Sequence, residues 1–146
     1  MAKSDGYGYR RGNRRVVAYP LDADAADIAK STAITKADAT AGYFKEVDAA
    51  GERVSGFATA SVLSGAADGD KEVLVDISNE SVYEFPPDAG TVSLALIGST
   101  CDIGADGRTI DIDGSADDSL MIVDVNLTRN TVYVRLRDAV KAPGVA

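Results

Sequence analysis

Residues 119–137, SLMIVDVNLTRNTVYVRLR, carry the strongest structural signal in the chain. Two runs of alternating side chains flank residues 127–130, whose composition is typical of a turn. The alternating sets are Met121, Val123 and Val125 against Ile122, Asp124 and Asn126 in the first run, and Val132, Val134 and Leu136 against Tyr133, Arg135 and Arg137 in the second. Because successive side chains of a strand point to opposite faces, each run places one set on each face. The stretch therefore predicts an antiparallel hairpin with one buried face and one charged face.

Upstream of this hairpin, short apolar or alternating runs are separated by turn residues. Asp-Gly pairs at 68–69 and 106–107 and the sequence PPDAG at 86–90 mark turns, because Asp and Gly tolerate positive φ and Pro ends a strand. The candidate strands are 42–48, 54–63, 71–77, 81–85, 91–98, 108–113, 119–126 and 131–137. Val16–Pro20 adds a short extended segment, and residues 22–30 predict one or two helical turns. Short strands at this spacing predict an all-β fold, a small antiparallel barrel or sandwich.

The chain of 146 residues is long enough for one self-sufficient core. Residues 1–15, MAKSDGYGYRRGNRR, show no helical or strand period, and we expect them to form a flexible basic arm. Residues 16–140 are expected to form a single β domain and residues 141–146 a C-terminal tail. No apolar run approaches the roughly 20 residues that span a bilayer, and the polar N-terminus does not resemble a signal peptide, so no membrane partner is expected.

The composition argues against most enzymatic mechanisms. The sequence has no histidine, which excludes Ser-His-Asp and Cys-His mechanisms and histidine-containing zinc sites. Its one cysteine, Cys101, has no basic neighbour in sequence and is expected to be a small buried thiol. No glycine-rich nucleotide-binding motif is present. We therefore expect no enzyme, no catalytic residue and no cofactor.

One acidic stretch invites comparison with a cation site. Residues 102–118, DIGADGRTIDIDGSADD, supply carboxylates, the ligands that Ca²⁺ prefers, but their spacing does not match the EF-hand loop. The alternative interpretation is a hydrated strand edge, with Asp111 and Asp113 on one face and Ile110 and Ile112 on the other. We favour the hydrated edge and predict no metal ligands, because charge runs are usually solvated faces.

Charge is distributed unevenly along the chain. With five basic side chains and one acidic one, residues 1–15 have a charge of +4 against −12 for the rest, which gives the net charge of −8. Such an arm could bind nucleic acid, with arginines on phosphates and tyrosines stacked on bases, or an acidic protein surface. The acidic body would repel phosphates, which favours the protein surface and makes nucleic acid a poor partner. The candidate binding residues are Arg10, Arg11, Arg14, Arg15, Tyr7, Tyr9 and Tyr19.

The order of segments resembles the capsid decoration, or cement, proteins of tailed bacteriophages. The resemblance covers about residues 34–137 and rests on the general residue pattern of four passages, without an invariant motif. These are ITKADATAGYFKEVDAAGERV at 34–54, SGFATASV at 55–62, GDKEVLVDI at 69–77, and the closing RTIDIDGSADDSLMIVDVNLTRNTVYVRL at 108–136. The family has no fixed contact motif, so no binding residue is carried over from it.

The resemblance implies a structural virion protein on the outer capsid surface that binds the major capsid protein and stabilises the lattice. It also implies a homo-oligomer, most commonly a trimer, without catalytic activity. Two alternatives stay open. One is a nucleic-acid-binding module with an OB-like barrel that uses the basic arm. The other is a different virion part, such as a tail-tube or head-completion protein.

Overall fold

The computed structural model describes residues 7–23, 25–37, 42–115 and 117–137, and it is all-β. In chain order the strands are β1 (Gly8–Arg11), β2 (Val16–Pro20), β3 (Ala33–Lys36), β4 (Phe44–Glu46), β5 (Gly56–Ala58), β6 (Glu72–Asp76), β7 (Val82–Phe85), β8 (Thr100–Ile103), β9 (Ile110–Asp111), β10 (Leu120–Asn126) and β11 (Thr131–Leu136). They form two antiparallel sheets that do not close into a barrel. Of the two predicted architectures, the sandwich is confirmed.

The sheets contain six and five strands. The larger has the order β1-β7-β11-β10-β8-β9 and the smaller the order β2-β6-β5-β3-β4, so β1 and β2 are both edge strands. In the described part of the chain no helix is long and apolar enough to cross a membrane.

The main core lies between the two sheets. Phe57 from the smaller sheet stacks on Tyr83 from the larger one with ring centroids 4.1 Å apart, and Phe85 lies 5.8 Å from Phe57. Val132 and Val134 of β11 pair with Phe85 and Tyr83, which fixes the face of β11 that joins this core. Burial of these large apolar side chains is the main stabilising contribution.

A second core lies on the opposite face of the smaller sheet. Leu21 and Ile28, from the segment between β2 and β3, pack there with Ile34 and Phe44. Tyr19 stacks on Phe44 with a centroid distance of 4.2 Å. Both faces of the smaller sheet are therefore covered, whereas only one face of the larger sheet meets the main core.

The predicted hairpin is confirmed as β10 and β11, with one correction to its faces. Before residue 123, Leu120 and Ile122 pair with Leu136 and Val134 and are buried; after it, Val125 pairs with Val132. A β-bulge between Ile122 and Asp124 shifts the register by one residue. The prediction that Met121, Val123 and Val125 share the buried face is therefore wrong, whereas the buried set of β11 is confirmed.

Two other predicted elements are absent from the described residues. Residues 91–98 form no strand; they contain a single 3₁₀ turn at Leu94–Leu96, and β8 takes the place beside β10. Residues 22–30 form no helix where they are described, and Ile28 instead makes an isolated antiparallel bridge with Val62. Strands β3 and β8 were not predicted.

The predicted flexible arm also requires correction. Gly8–Arg11 is a strand that pairs antiparallel with β7, so the expectation of a segment without regular structure is wrong there. Residues 1–6 and the predicted tail at 141–146 lie outside the described residues. Val16–Pro20 forms the extended edge segment that was predicted.

Candidate binding site at the N-terminal strand

Two glycines let β1 lie close against the rest of the molecule. Gly8 has φ of +106°, and a Cβ there would overlap the side chain of Ser31. Gly12, with φ of +107°, would overlap the carbonyl of Glu80 in the same way. Because only glycine adopts such angles without strain and leaves this space, these positions fix the path of β1.

A buried carboxylate anchors the strand. Glu84 of β7 pairs with Tyr133, and its neighbours Tyr83 and Phe85 point to the core, so Glu84 lies on the opposite face of the larger sheet. Glu84 Oε1 accepts a hydrogen bond from Arg10 Nε at 2.8 Å, and Arg10 Nη2 lies 2.7 Å from the same oxygen in an ion pair. Glu84 Oε2 accepts from Arg129 Nε at 2.9 Å and from the Thr131 hydroxyl.

Two effects of opposite sign act on the pKa of Glu84. Burial alone would raise it, but the hydrogen bonds from Thr131, Arg10 and Arg129 outweigh burial and hold the pKa below its usual value. Glu84 is thus ionised at neutral pH, and Arg10 neutralises it. Arg10 therefore has an internal role, in contrast to the predicted role in binding a partner.

A second buried carboxylate lies where the chain passes from β1 to β2. The Tyr83 hydroxyl donates to Asp76 Oδ2 at 2.8 Å, and the backbone N–H groups of Arg15 and Ser78 each donate to Asp76 Oδ1 at 3.1 Å. Arg14 Nε lies 3.9 Å from Asp76 Oδ2. The pKa of Tyr83 is raised far above its usual value, mainly by burial and to a smaller extent by the hydrogen bond to Asp76. Tyr83 therefore remains a neutral donor.

Aromatic rings support the same arginines. Tyr9 meets Tyr83 edge to face with centroids 5.6 Å apart, and its hydroxyl donates to the Gly12 carbonyl at 2.6 Å. Arg14 Cζ lies 3.7 Å from the centroid of the Tyr9 ring, within the range of a cation–π contact. Arg129 Cζ lies 5.4 Å from the ring centroid of Tyr7.

These side chains border a cleft of about 500 Å³ between β1 and the segment that precedes β3. Its lining residues are Tyr7, Tyr9, Arg10, Arg14, Ala29, Lys30, Ser31 and Ser61. The backbone N–H of Lys30 donates to Ser61 Oγ at 3.2 Å, and Ser31 has φ of +70°, an angle uncommon for a residue with a Cβ. The Lys30 side chain is exposed and has no ion pair among the described residues.

The structure brings together four of the seven predicted binding residues. Tyr7, Tyr9, Arg10 and Arg14 all line the cleft. Arg11 lies outside it, with Cζ 6.0 Å from the ring centroid of Tyr133, and Arg15 is exposed immediately before β2.

Tyr19 does not belong to this group. It packs against the second core, where burial raises its pKa.

The residues of the body that meet the arm were not predicted. Lys30, Ser31 and Ser61 come from loops distant in sequence, and no local pattern marks them. For Glu84 the sequence contained one indication of its position. It lies between Tyr83 and Phe85 in a strand, so its side chain is on the sheet face opposite these two core aromatics. Its burial could not be read from that pattern, since it depends on Arg10 and Arg129.

Cys101 is confirmed as a buried thiol, whereas the acidic stretch departs from the predicted hydrated strand edge, because Asp102 is buried and β9 ends at Asp111, before Asp113. Asp102 is buried and accepts the backbone N–H groups of Asp117 at 3.0 Å and Asp118 at 2.7 Å. Within the described residues no group of three or more His, Cys, Asp or Glu side chains could hold a metal ion. Cys101 is buried, and burial raises the pKa of its thiol to about 12.

Comparison of the chain with protein-family models, with curated proteins and with solved structures finds no match in any of the three.

Proposed function

We propose that the protein is a structural virion component that binds the outer surface of a tailed-phage capsid and stabilises its lattice. The proposal combines the sequence resemblance at 34–137 with the all-β sandwich. The observation that carries it is the basic surface around β1 on an otherwise acidic protein. Arginine forks and tyrosine rings are the side chains that protein interfaces favour, and an acidic patch of the major capsid protein is the matching partner.

The binding residues differ from those expected of a free arm. Arg10 is ion-paired with the buried carboxylate of Glu84 at 2.7 Å, which balances its charge within the molecule, and Arg14 lies 3.9 Å from the buried carboxylate of Asp76, which balances its charge only in part. Arg11 and Arg15 are exposed, and neither forms a side-chain ion pair with a described carboxylate. We therefore assign the first contact with the capsid to Arg11 and Arg15.

Repetition of the binding site makes modest contacts sufficient. A capsid presents the same acidic patch many times, and a homotrimer, the state that the resemblance implies, would engage several patches at once. The second attachment then takes place at a high effective concentration. The acidic remainder of the protein would face solvent and keep particles apart.

The test is co-sedimentation with phage heads that lack their decoration protein. We expect the double variant Arg11→Ala/Arg15→Ala to reduce head occupancy more than tenfold, since two interface arginines of about 1 kcal/mol each correspond to a factor of roughly 30. Its unfolding free energy should stay within about 1 kcal/mol of wild type, because Arg15 holds Asp76 through its backbone N–H.

The matched control is Arg53→Ala/Lys71→Gln, which removes two positive charges away from β1. It should leave occupancy unchanged. Wild-type occupancy of the Arg11→Ala/Arg15→Ala variant would refute the assignment. If occupancy fell steeply with salt and naked DNA competed for the protein as well as heads do, the nucleic-acid alternative would replace this proposal.

A further inference from the structure

We infer that the cleft beside β1 binds a carboxylate of an acidic peptide segment, with Arg14 and Lys30 as the groups that hold it. This inference rests on the proposed function in that it names the chemistry which the protein partner presents to the cleft. It assigns a role to Lys30, Ser31 and Ser61, which no sequence pattern indicated.

The cleft has more positive than negative charge. Among the described lining residues, Arg10, Arg14 and Lys30 are cationic and none is acidic, and the carboxylates of Glu84 and Asp76, which are paired with Arg10 and Arg14, do not line the cleft. Because this charge is concentrated in a concave site with aromatic walls, it attracts an anion more strongly than the same charges spread over a flat surface.

Arg14 is positioned to receive that anion. Asp76 already accepts hydrogen bonds from Tyr83, Arg15 and Ser78, and Arg14 Nε stays 3.9 Å away from it. The guanidinium lies against the Tyr9 ring, which limits its motion. In the described residues its terminal nitrogens have no hydrogen-bond acceptor, so they can donate to a carboxylate in the cleft.

The opposite wall supplies Lys30 and two hydroxyl groups. Lys30 and Ser31 precede β3, and Ser61 Oγ accepts from the Lys30 backbone, which fixes the position of the ammonium-bearing residue. Ser31 is buried and held in a left-handed conformation at the bottom of this wall. A volume of about 500 Å³ accommodates a side chain together with its neighbouring peptide groups.

Acidic groups nearby favour an isolated carboxylate over a phosphate polymer. Glu80 lies beside the end of β1, where it accepts from Asn13 Nδ2 at 3.1 Å, and Asp27 lies close to Ser64, beyond the Lys30 wall. A polynucleotide carries its charges in the backbone itself, so the strand would bring phosphates against these carboxylates on leaving the cleft. An acidic peptide carries its charges on side chains of a neutral backbone, so one carboxylate can enter the cleft while the neighbouring side chains turn to solvent.

The experiment titrates the purified protein with hexaglutamate at low salt and follows the backbone amide resonances of Ser31 and Ser61 by NMR. Hexaglutamine, inorganic phosphate and a six-nucleotide oligo-dT serve as comparison probes. We expect hexaglutamate to shift both resonances saturably, and Lys30→Gln to weaken its binding about tenfold. The matched control Lys71→Gln, at another exposed lysine, should change the affinity less than twofold.

The inference is overturned if Lys30→Gln binds hexaglutamate like wild type, if hexaglutamine binds equally well, or if oligo-dT or phosphate binds more tightly. Sedimentation of the same variants without peptide tests for a second copy as the carboxylate donor. Dissociation of an oligomer by Lys30→Gln alone would place that carboxylate on a neighbouring subunit and also contradict the inference.

Head occupancy separates this inference from the proposed function. If the Lys30→Gln protein loses hexaglutamate binding but still occupies heads, the cleft is not the capsid contact while capsid binding stands. If hexaglutamate binds and heads stay unoccupied by wild type, the cleft is an anion site and the capsid proposal fails.

Discussion

Adjacent arginines on β1 should differ sharply in what they contribute to stability. Arg10 forms a hydrogen bond and an ion pair with Glu84, whose side chain is 1% exposed. Arg11 is exposed, and its Cζ lies 6.0 Å from the ring centroid of Tyr133, at the limit of a cation–π contact. Replacing each by alanine in turn removes the same charge from neighbouring positions of one strand. A mobile arm would make the two variants equivalent, and the structure predicts that they are not.

The expected magnitude follows from the contacts. Removing one partner of a buried ion pair costs about 3–5 kcal/mol, and a hydrogen bond to a charged group contributes about 1.5–3 kcal/mol. Glu84 keeps Arg129 and Thr131, and the Arg10 side chain is 32% exposed, so water can partly replace it. We therefore expect Arg10→Ala to lower the unfolding free energy by about 2 kcal/mol, and Arg11→Ala by about 0.5 kcal/mol or less.

Urea unfolding at pH 7 measures the difference directly. With a slope of about 2 kcal/mol per molar urea, Arg10→Ala should move the midpoint down by about 1 M and Arg11→Ala by about 0.2 M. A double-mutant cycle with Glu84→Gln should give a coupling of about 1–2 kcal/mol between residues 10 and 84. Equal midpoints for the two alanine variants, or zero coupling, would show that β1 is not anchored through Glu84.

Three further predictions concern the pH dependence that Glu84 causes, the packing at Gly8 and the burial of Cys101. The pKa of Glu84 is lower in the folded than in the unfolded state, so its ionised form stabilises the fold fully above the unfolded pKa of about 4.3. This stabilisation is lost as the pH falls through the folded pKa. Between pH 6 and pH 3 the urea midpoint of Glu84→Gln should therefore fall less steeply than that of wild type. Gly8→Ala should destabilise the protein by about 2 kcal/mol or more, whereas Gly42→Ala, at φ of +81° with open space around it, should cost only about 1 kcal/mol by thermal melting. The Cys101 thiol should react with a disulfide reagent only as fast as the protein opens, and modification of the native protein within seconds would contradict its burial.

The fold class was predictable from the sequence because the hairpin at residues 120–136 depends on local alternation and a short turn. The failures have long-range causes. Residues 91–98 alternate like a strand, yet Val92 donates its N–H to the Asn130 side chain and Leu94 is 65% exposed, because β8 already pairs with β10. Local alternation does not indicate which of two alternating segments will pair with a given strand in the sheet.

The candidate site shows the same limit more strongly. The sequence indicated the arm residues through their charge and rings, and four of them meet in one cleft. It could not indicate that Arg10 is paired 74 positions away with Glu84, since a basic segment rich in glycine looks unstructured until its buried counter-charge is known. The glycines were the misleading feature: at Gly8 and Gly12 they allow close packing rather than mobility.

The arginines at 10 and 14 contribute both to stability and to the binding cleft. Single substitutions can distinguish these two roles, whereas deletion of the segment cannot. Arg10 and Arg14 neutralise carboxylates that the sandwich buries, and the same docking places Tyr7, Tyr9 and Arg14 around the cleft. A ligand that binds the cleft only when β1 is docked stabilises the docked state, and the stabilisation increases with the ligand concentration relative to its Kd. Deleting the whole segment would therefore remove stability and binding together and could not assign either, whereas Lys30→Gln, a substitution outside β1, changes binding alone. Partner binding at this site is consequently expected to protect the β1 amides from hydrogen exchange, and Lys30→Gln should reduce that protection at the same partner concentration while leaving the free protein's exchange unchanged.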